Sequence, residues 1–250
     1  MKRIRRRPLS DHATQYLRGL QAEVDGASDP AAAAAALWAS RKANRAFDEI
    51  RETLKTKMAA GCERCMFCGD SAGTDIEHFR PKSTFPDHAF RWENYLLACS
   101  TCNGPTYKGT KFPQDPAGNP LLLDPTADRP AAHLPFEPRT GLFEEDSATD
   151  KGRETIRTVG LNREILLRGR KQTWNAILRI VRDLWETLDA GPPEAIDELF
   201  HELGAQSSPE IVRYFLEDAL RPEPAFIAPR WVAMTRSVLE RTLYRWRRLL

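Results

Sequence analysis

The sequence predicts a mainly α-helical chain with a small α+β core set into it. Three observations lead there. Apolar residues recur at helical spacing before residue 60 and after residue 147. All five cysteines fall within residues 62–102. Residues 113–146 are rich in Pro, Gly and Asp, the composition of a loop. The expected organisation is therefore a basic arm and helices over 1–60, a metal-framed core over 61–112, a loop or hairpin over 113–146 and a helical region over 147–250.

The elements follow in order. Ser10 is a helix cap for residues 10–24. Asp29-Pro30 opens a second helix, with Asp as the cap and Pro in the first turn. Phe47, Ile50, Leu54 and Met58 extend its periodicity to about residue 59, before Gly61. Around His133–Phe143 a hairpin can turn at Arg139-Thr140-Gly141. Asn162 is placed to cap a helix with Trp174, Ile177, Leu178, Val181, Leu184, Trp185 and Leu188 on one face, broken by Gly191-Pro192-Pro193. Arg168, Arg170 and Lys171 near its start read as a solvated face. Short helices follow at about 194–203 and 209–220, the second opened by Ser208-Pro209-Glu210. The last helix stripes Val232, Leu239, Leu243, Trp246 and Leu250 along one side.

Composition excludes several classes. With 250 residues, 41% of them hydrophobic and 29% charged, the chain can build a core, so it is not wholly disordered. No run of eighteen apolar residues exists, so no membrane span is expected. No apolar run follows the basic Met1–Arg7, which argues against a secretory signal and for the cytoplasm. The net charge of +2 hides two basic ends, Lys2–Arg7 and Arg241–Arg248. Such ends can contact phosphates or simply be solvated.

Cys65-Met-Phe-Cys68 and Cys99-Ser-Thr-Cys102 are two C-x-x-C pairs. Each aims two thiolates at one point, and together they complete a closed four-thiolate site of the structural zinc type. Cys62 offers a competing pair with Cys65, although Gly69 after Cys68 suits a knuckle turn and favours Cys65 and Cys68. Between and after the pairs stand Glu77-His78, Arg80, Lys82, Asn94, Asn103 and Lys108. Glu77 and Asn103 are hard oxygen donors of the kind Mg²⁺ prefers. A neutral His78 can take a proton from water, and a base beside a divalent metal suits phosphodiester hydrolysis. Arg80, Lys82 and Lys108 are candidate phosphate contacts.

The stretch 65–109 resembles the HNH endonucleases, in their zinc-framed form. That resemblance implies a ββα-metal fold flanked here by N- and C-terminal helices. It makes His78 the general base, Asn94 the residue that orders the loop between the strands, and Glu77 and Asn103 ligands of the catalytic metal. The sequence departs from the family pattern by having Glu where Asp or His is usual and Asn where His is common; both keep an oxygen donor. Further segments, including Met1–Arg7, Glu77–Lys82, Leu123-Asp124-Pro125, His133–Phe136, Gly141, Leu161-Asn162 and Arg168, are similar to a bacterial HNH group linked to retron and Septu-type anti-phage systems. The resemblance thus implies cleavage of nucleic acid, most readily DNA, by attack of water that leaves a 5′-phosphate. It also implies structural Zn²⁺, catalytic Mg²⁺ or another divalent ion, and an ATPase defence partner. The competing reading is a zinc-containing module that binds nucleic acid or a partner without cutting.

Overall fold

The computed structural model describes residues 1–41, 44–59, 63–145, 150–206, 208 and 210–249. Gly61, Cys62 and Pro209 lie outside them, as do the side chains of Leu243 and Trp246, the basic Arg245–Arg248 group and Leu250. The chain is mainly helical, with two small antiparallel hairpins. It divides into two compact units, residues 1–134 with 145–161 and residues 135–144 with 162–250.

In the first unit, helix α1 (Asp11–Asp25) starts at Ser10, whose hydroxyl oxygen accepts from the Ala13 N–H at 3.2 Å. The same Ser10 donates through its N–H and hydroxyl to Glu49, so one residue both caps α1 and ties it to a neighbour. Helix α2 (Pro30–Ser40) begins as expected, with Asp29 accepting from Ala32 N–H. The expected single helix to residue 59 is instead interrupted. Asn44 caps a separate α3 (Arg45–Glu52), accepting from Ala46 N–H, and α3 continues as a π-helical stretch over Thr53–Met58. A side-chain oxygen that satisfies a free N–H starts a helix more favourably than it sits within one. Leu17, Leu20 and Val24 of α1 and Phe47 and Ile50 of α3 are buried, and the Tyr16 and Phe47 rings meet edge to face at 6.3 Å.

Strands β1 (Asp75–His78) and β2 (Tyr95–Ala98) pair antiparallel, with His78 opposite Tyr95 and Asp75 opposite Ala98. A short helix α4 (Ser100–Asn103) follows β2 directly. Helix α5 (Asp150–Val159) returns to this unit, and its Thr155 hydroxyl oxygen accepts from Leu123 N–H. At Gly160, φ is +64° and a Cβ would stand 2.0 Å from the Tyr107 ring, so only glycine fits.

The second unit is built on α6 (Glu164–Ala190), against which α7 (Pro193–Ala205), α8 (Glu210–Leu220) and α9 (Pro229–Leu249) pack. The hairpin β3 (Phe136–Glu137) and β4 (Leu142–Phe143) turns through Gly141 at φ +79°, as the sequence indicated. Three expectations need correction here. Asn162 does not cap α6, whose cap position is Arg163; it clips the Phe143 backbone through both its amide oxygen and nitrogen. Arg170 is wholly buried, donating to Gly141 O with its guanidinium 4.0 Å from the Phe143 ring, because a cationic plane stacked on an aromatic face tolerates burial. Trp185 is 40% exposed, because it stands at the margin of the buried face of α6, whose centre runs through Thr173, Ile177, Ile180 and Leu184.

Candidate functional site

The cysteine frame follows from local turns. The Gly69 N–H donates to Cys65 O at 2.8 Å with Gly69 at φ +71°, closing the first knuckle. Met66 N–H donates to Leu97 O, docking that knuckle on β2. The second pair sits where β2 gives way to α4, and Cys99 caps the helix by accepting from Cys102 N–H. Cys65, Cys68, Cys99 and Cys102 are all buried, and their sulfurs lie within 4.8 Å of one another. Zn–S bonds of about 2.3 Å in a tetrahedron put sulfurs roughly 3.8 Å apart, so this cluster can hold a metal ion such as zinc.

His78 ends β1. Its Nε2 lies 2.9 Å from Ala89 O. A carbonyl only accepts, so Nε2 carries the proton and Nδ1 the lone pair. The ring is 6% exposed, and it lies 4.2 Å from the Trp38 ring of α2 and 5.3 Å from Tyr95. Burial, reinforced by Lys82, pushes the imidazole down to about 3, so it is neutral at physiological pH.

The loop that presents Ala89 is tied from several sides. Asn94 donates to Arg80 O and His88 O and accepts from Arg80 N–H. Tyr95 donates its hydroxyl to Ala89 O at 2.9 Å. Gln21, buried on α1, accepts from Phe90 N–H and donates to Pro86 O. Asn94 thus stands in the loop between the two strands and is itself buried, at 4% exposure.

Side chains alternate along a strand, so Asp75 and Glu77 share the face opposite His78. Asn103 of α4 donates to Asp75 at 3.2 Å. Glu77 is buried and forms an ion pair with Lys108, whose ammonium also donates to His78 O. Desolvation raises the Glu77 carboxyl and lowers Lys108, while each charge opposes the shift of the other. Lys108 is therefore a buried partner of Glu77 rather than an exposed phosphate contact. Arg80 lies 5.5 Å from the Phe85 ring and 5.3 Å from Phe112, and Lys82 lies 5.9 Å from Trp38; both are half-buried.

The oxygen donors Asp75, Glu77 and Asn103 suit a hard divalent cation by chemistry, with one qualification set by geometry. Asp75 and Asn103 are already together, whereas Glu77 would have to share its carboxylate with Lys108. Among the described residues, the four cysteines form the only group of three or more Cys, His, Asp or Glu ligand atoms this close together.

The sequence reading missed Asp75, Gln21, Trp38 and the Glu77–Lys108 pair. Gln21 left a weak signal, a polar side chain on the apolar face of α1. The others depend on contacts remote in sequence.

Stability should report the buried imidazole. The native state holds His78 near 3 against an ordinary 6.5, so the unfolded chain takes up a proton that the native ring refuses. This contribution is complete above pH 6.5 and is lost as pH falls toward 3. His78→Gln should shrink the difference in urea midpoint between pH 7 and pH 4.5; an unchanged difference would contradict it.

Over 76 residues the chain is 36% identical to Septu protein PtuB of Bacillus thuringiensis. The match covers 28% of this chain and 27% of that relative, so most of both lies outside it. No protein-family profile and no solved structure matches the chain. Among the described residues, no helix is long and apolar enough to cross a membrane.

Proposed function

We propose that the chain is a metal-dependent endonuclease of the HNH type, with a ββα-metal core on β1, β2 and α4, acting on nucleic acid within an anti-phage defence system. The observation that carries this reading is the tautomer of His78, whose Nε2–H is spent on Ala89 O and leaves Nδ1 as the base, on a strand whose opposite face presents the oxygen donors Asp75 and Asn103. The partial similarity to a Septu protein supports the defence role, with a partner in a defence complex as its setting.

In this reading His78 Nδ1 takes the proton of an attacking water. Ala89 O holds the ring in position and stabilises the imidazolium that forms. A ring pushed down to about 3 is a weak base, and an anionic phosphate beside it raises its basicity. Asp75 and Asn103, joined by Glu77, would hold the divalent cation. When bound, that cation supplies charge stabilisation at the scissile phosphate and at the leaving 3′ oxygen. The product carries a 5′-phosphate. The four-cysteine site stays structural and fixes the hairpin relative to α4.

Asn94 acts as a positioning residue. Asn94→Ala removes three part-buried hydrogen bonds that hold the loop, at a cost of about 1 kcal/mol each. Cleavage should fall while zinc content stays whole. Nitrogen NMR of the imidazole should pass from one tautomer to a mixture. Retention of a single Nε2–H tautomer with full activity would remove Asn94 from this role.

A second reading has one observation in its favour. His78 is covered by Trp38 and Glu77 is neutralised by Lys108, as in a module that binds without cutting or in an enzyme silent until released. The test is incubation with plasmid DNA and with RNA in Mg²⁺ or Mn²⁺, with the chain alone and with any ATPase that co-purifies with it. Metal-dependent nicking in either arm supports the nuclease. Binding with no cleavage in both arms supports the module.

A further inference from the structure

The basic N-terminal arm is not a free tail. Ile4 N–H donates to Pro125 O at 2.8 Å, and Trp92 Nε1 donates to Arg7 O at 2.9 Å. Between them the Arg6 guanidinium donates to Trp92 O, Glu93 O, Tyr95 O and the Thr126 hydroxyl, and lies 5.1 Å from the Trp92 ring. Tyr95 is the residue in register with His78. The arm is therefore fastened along the edge of β2 that faces away from β1, at the level of Tyr95.

Exposure alternates along it. Lys2, Ile4 and Arg6 are half-buried, whereas Arg3, Arg5 and Arg7 are exposed. A period of two is the signature of extended chain with one face turned in and one turned out. Arg6 faces in, where Asp124 and Glu93 oppose its charge. None of the three outward guanidinium groups has an ion pair or hydrogen-bond partner among the described residues.

We infer that Arg3, Arg5 and Arg7 form a rail for the sugar-phosphate backbone of nucleic acid, laid along the outer edge of β2 and held in place by Arg6. This rests on the nucleic-acid reading above and names the surface that delivers the substrate. Successive outward residues stand about 6.6 Å apart on an extended chain, a step comparable with that between neighbouring phosphates of one strand. Arginine suits the task because its planar fork meets phosphate oxygens two at a time. The arm is already ordered, so binding does not have to fix it. The core segment 61–110 is not basic, with 5 Lys and Arg against 6 Asp and Glu, so affinity must come from a flank. A protein partner fits less well, because stable protein interfaces need a buried apolar centre, and Ile4 is turned inward.

The experiment measures equilibrium binding of the full chain carrying His78→Ala to labelled single-stranded and duplex DNA and to RNA over a range of salt. Adding Arg3→Gln, Arg5→Gln and Arg7→Gln together should leave the melting temperature unchanged. It should flatten the slope of log affinity against log salt by about 2 on single strands and about 2.7 on duplex. A matched control, Arg18→Gln, Arg129→Gln and Arg139→Gln, removes the same net charge elsewhere and should move the slope far less. Arg6→Gln should lower the melting temperature. An equal slope with and without the three substitutions overturns the rail, as does equal loss in the control. Failure of the His78→Ala protein to bind any of the nucleic acids also overturns it, while cleavage by the parent is scored separately. Unchanged nucleic-acid binding with loss of an acidic protein partner would make the arm a protein docking surface instead.

Discussion

On the proposed nuclease reading, His78→Ala should sharply slow metal-dependent cleavage and leave the melting curve and zinc content close to those of the parent. General base catalysis contributes about 10²–10⁴-fold, so the expected loss is of that order. The fold should survive because the imidazole makes one polar contact, with Ala89 O, and that oxygen keeps the Tyr95 hydroxyl as a donor. Removing the ring leaves a cavity under Trp38 rather than a buried unpaired group. The comparison is a single-turnover nicking assay on plasmid DNA with Mg²⁺ and with Mn²⁺, under whichever conditions the parent cuts. A variant as fast as its parent would end the assignment of His78. His78→Gln serves as a second variant, since it can still donate to Ala89 O but cannot act as a base. Loss of activity in both variants, with unfolding in neither, separates chemistry from packing.

Cys99→Ser should have the larger structural effect. Binding of structural zinc is worth roughly 10–16 kcal/mol in small domains, and that free energy becomes folding free energy where the frame has little else to hold it. Cys99 also accepts from Cys102 N–H, and its carbonyl accepts from Asn103 N–H. Losing this residue therefore frees both the metal and the α4 turn that carries Asn103. The expected result is less than one zinc per chain, a lower melting temperature and loss of cleavage together. Cys62→Ser should retain zinc, because Cys65, Cys68, Cys99 and Cys102 complete the set without it. Full zinc stoichiometry in Cys99→Ser would contradict the four-cysteine site. Zinc loss in Cys62→Ser would reopen the choice of ligands.

The sequence by itself determined the local features. Ser10 and Asp29 marked helix starts, because a cap is a bond between residues three apart. Gly191-Pro192-Pro193 marked a helix end, and Gly141 the hairpin turn. The two C-x-x-C pairs named the metal frame, since each knuckle is set by its own few residues. Sequence also singled out His78, Asn94 and Asn103 as candidates.

Only the tertiary structure decided what those candidates touch. Glu77 meets Lys108 thirty-one residues away, and Phe90 is held by Gln21 sixty-nine residues away. Arg6 reaches across more than eighty residues to the backbone around Asn94. Trp38 covers His78 from another helix. Nothing in a local pattern encodes such partners. A buried cation is stable only where burial of the surrounding chain brings an anion or a set of carbonyls to meet it. Lys108 therefore read as a phosphate contact and Arg170 as part of a solvated face until the packing showed both inside.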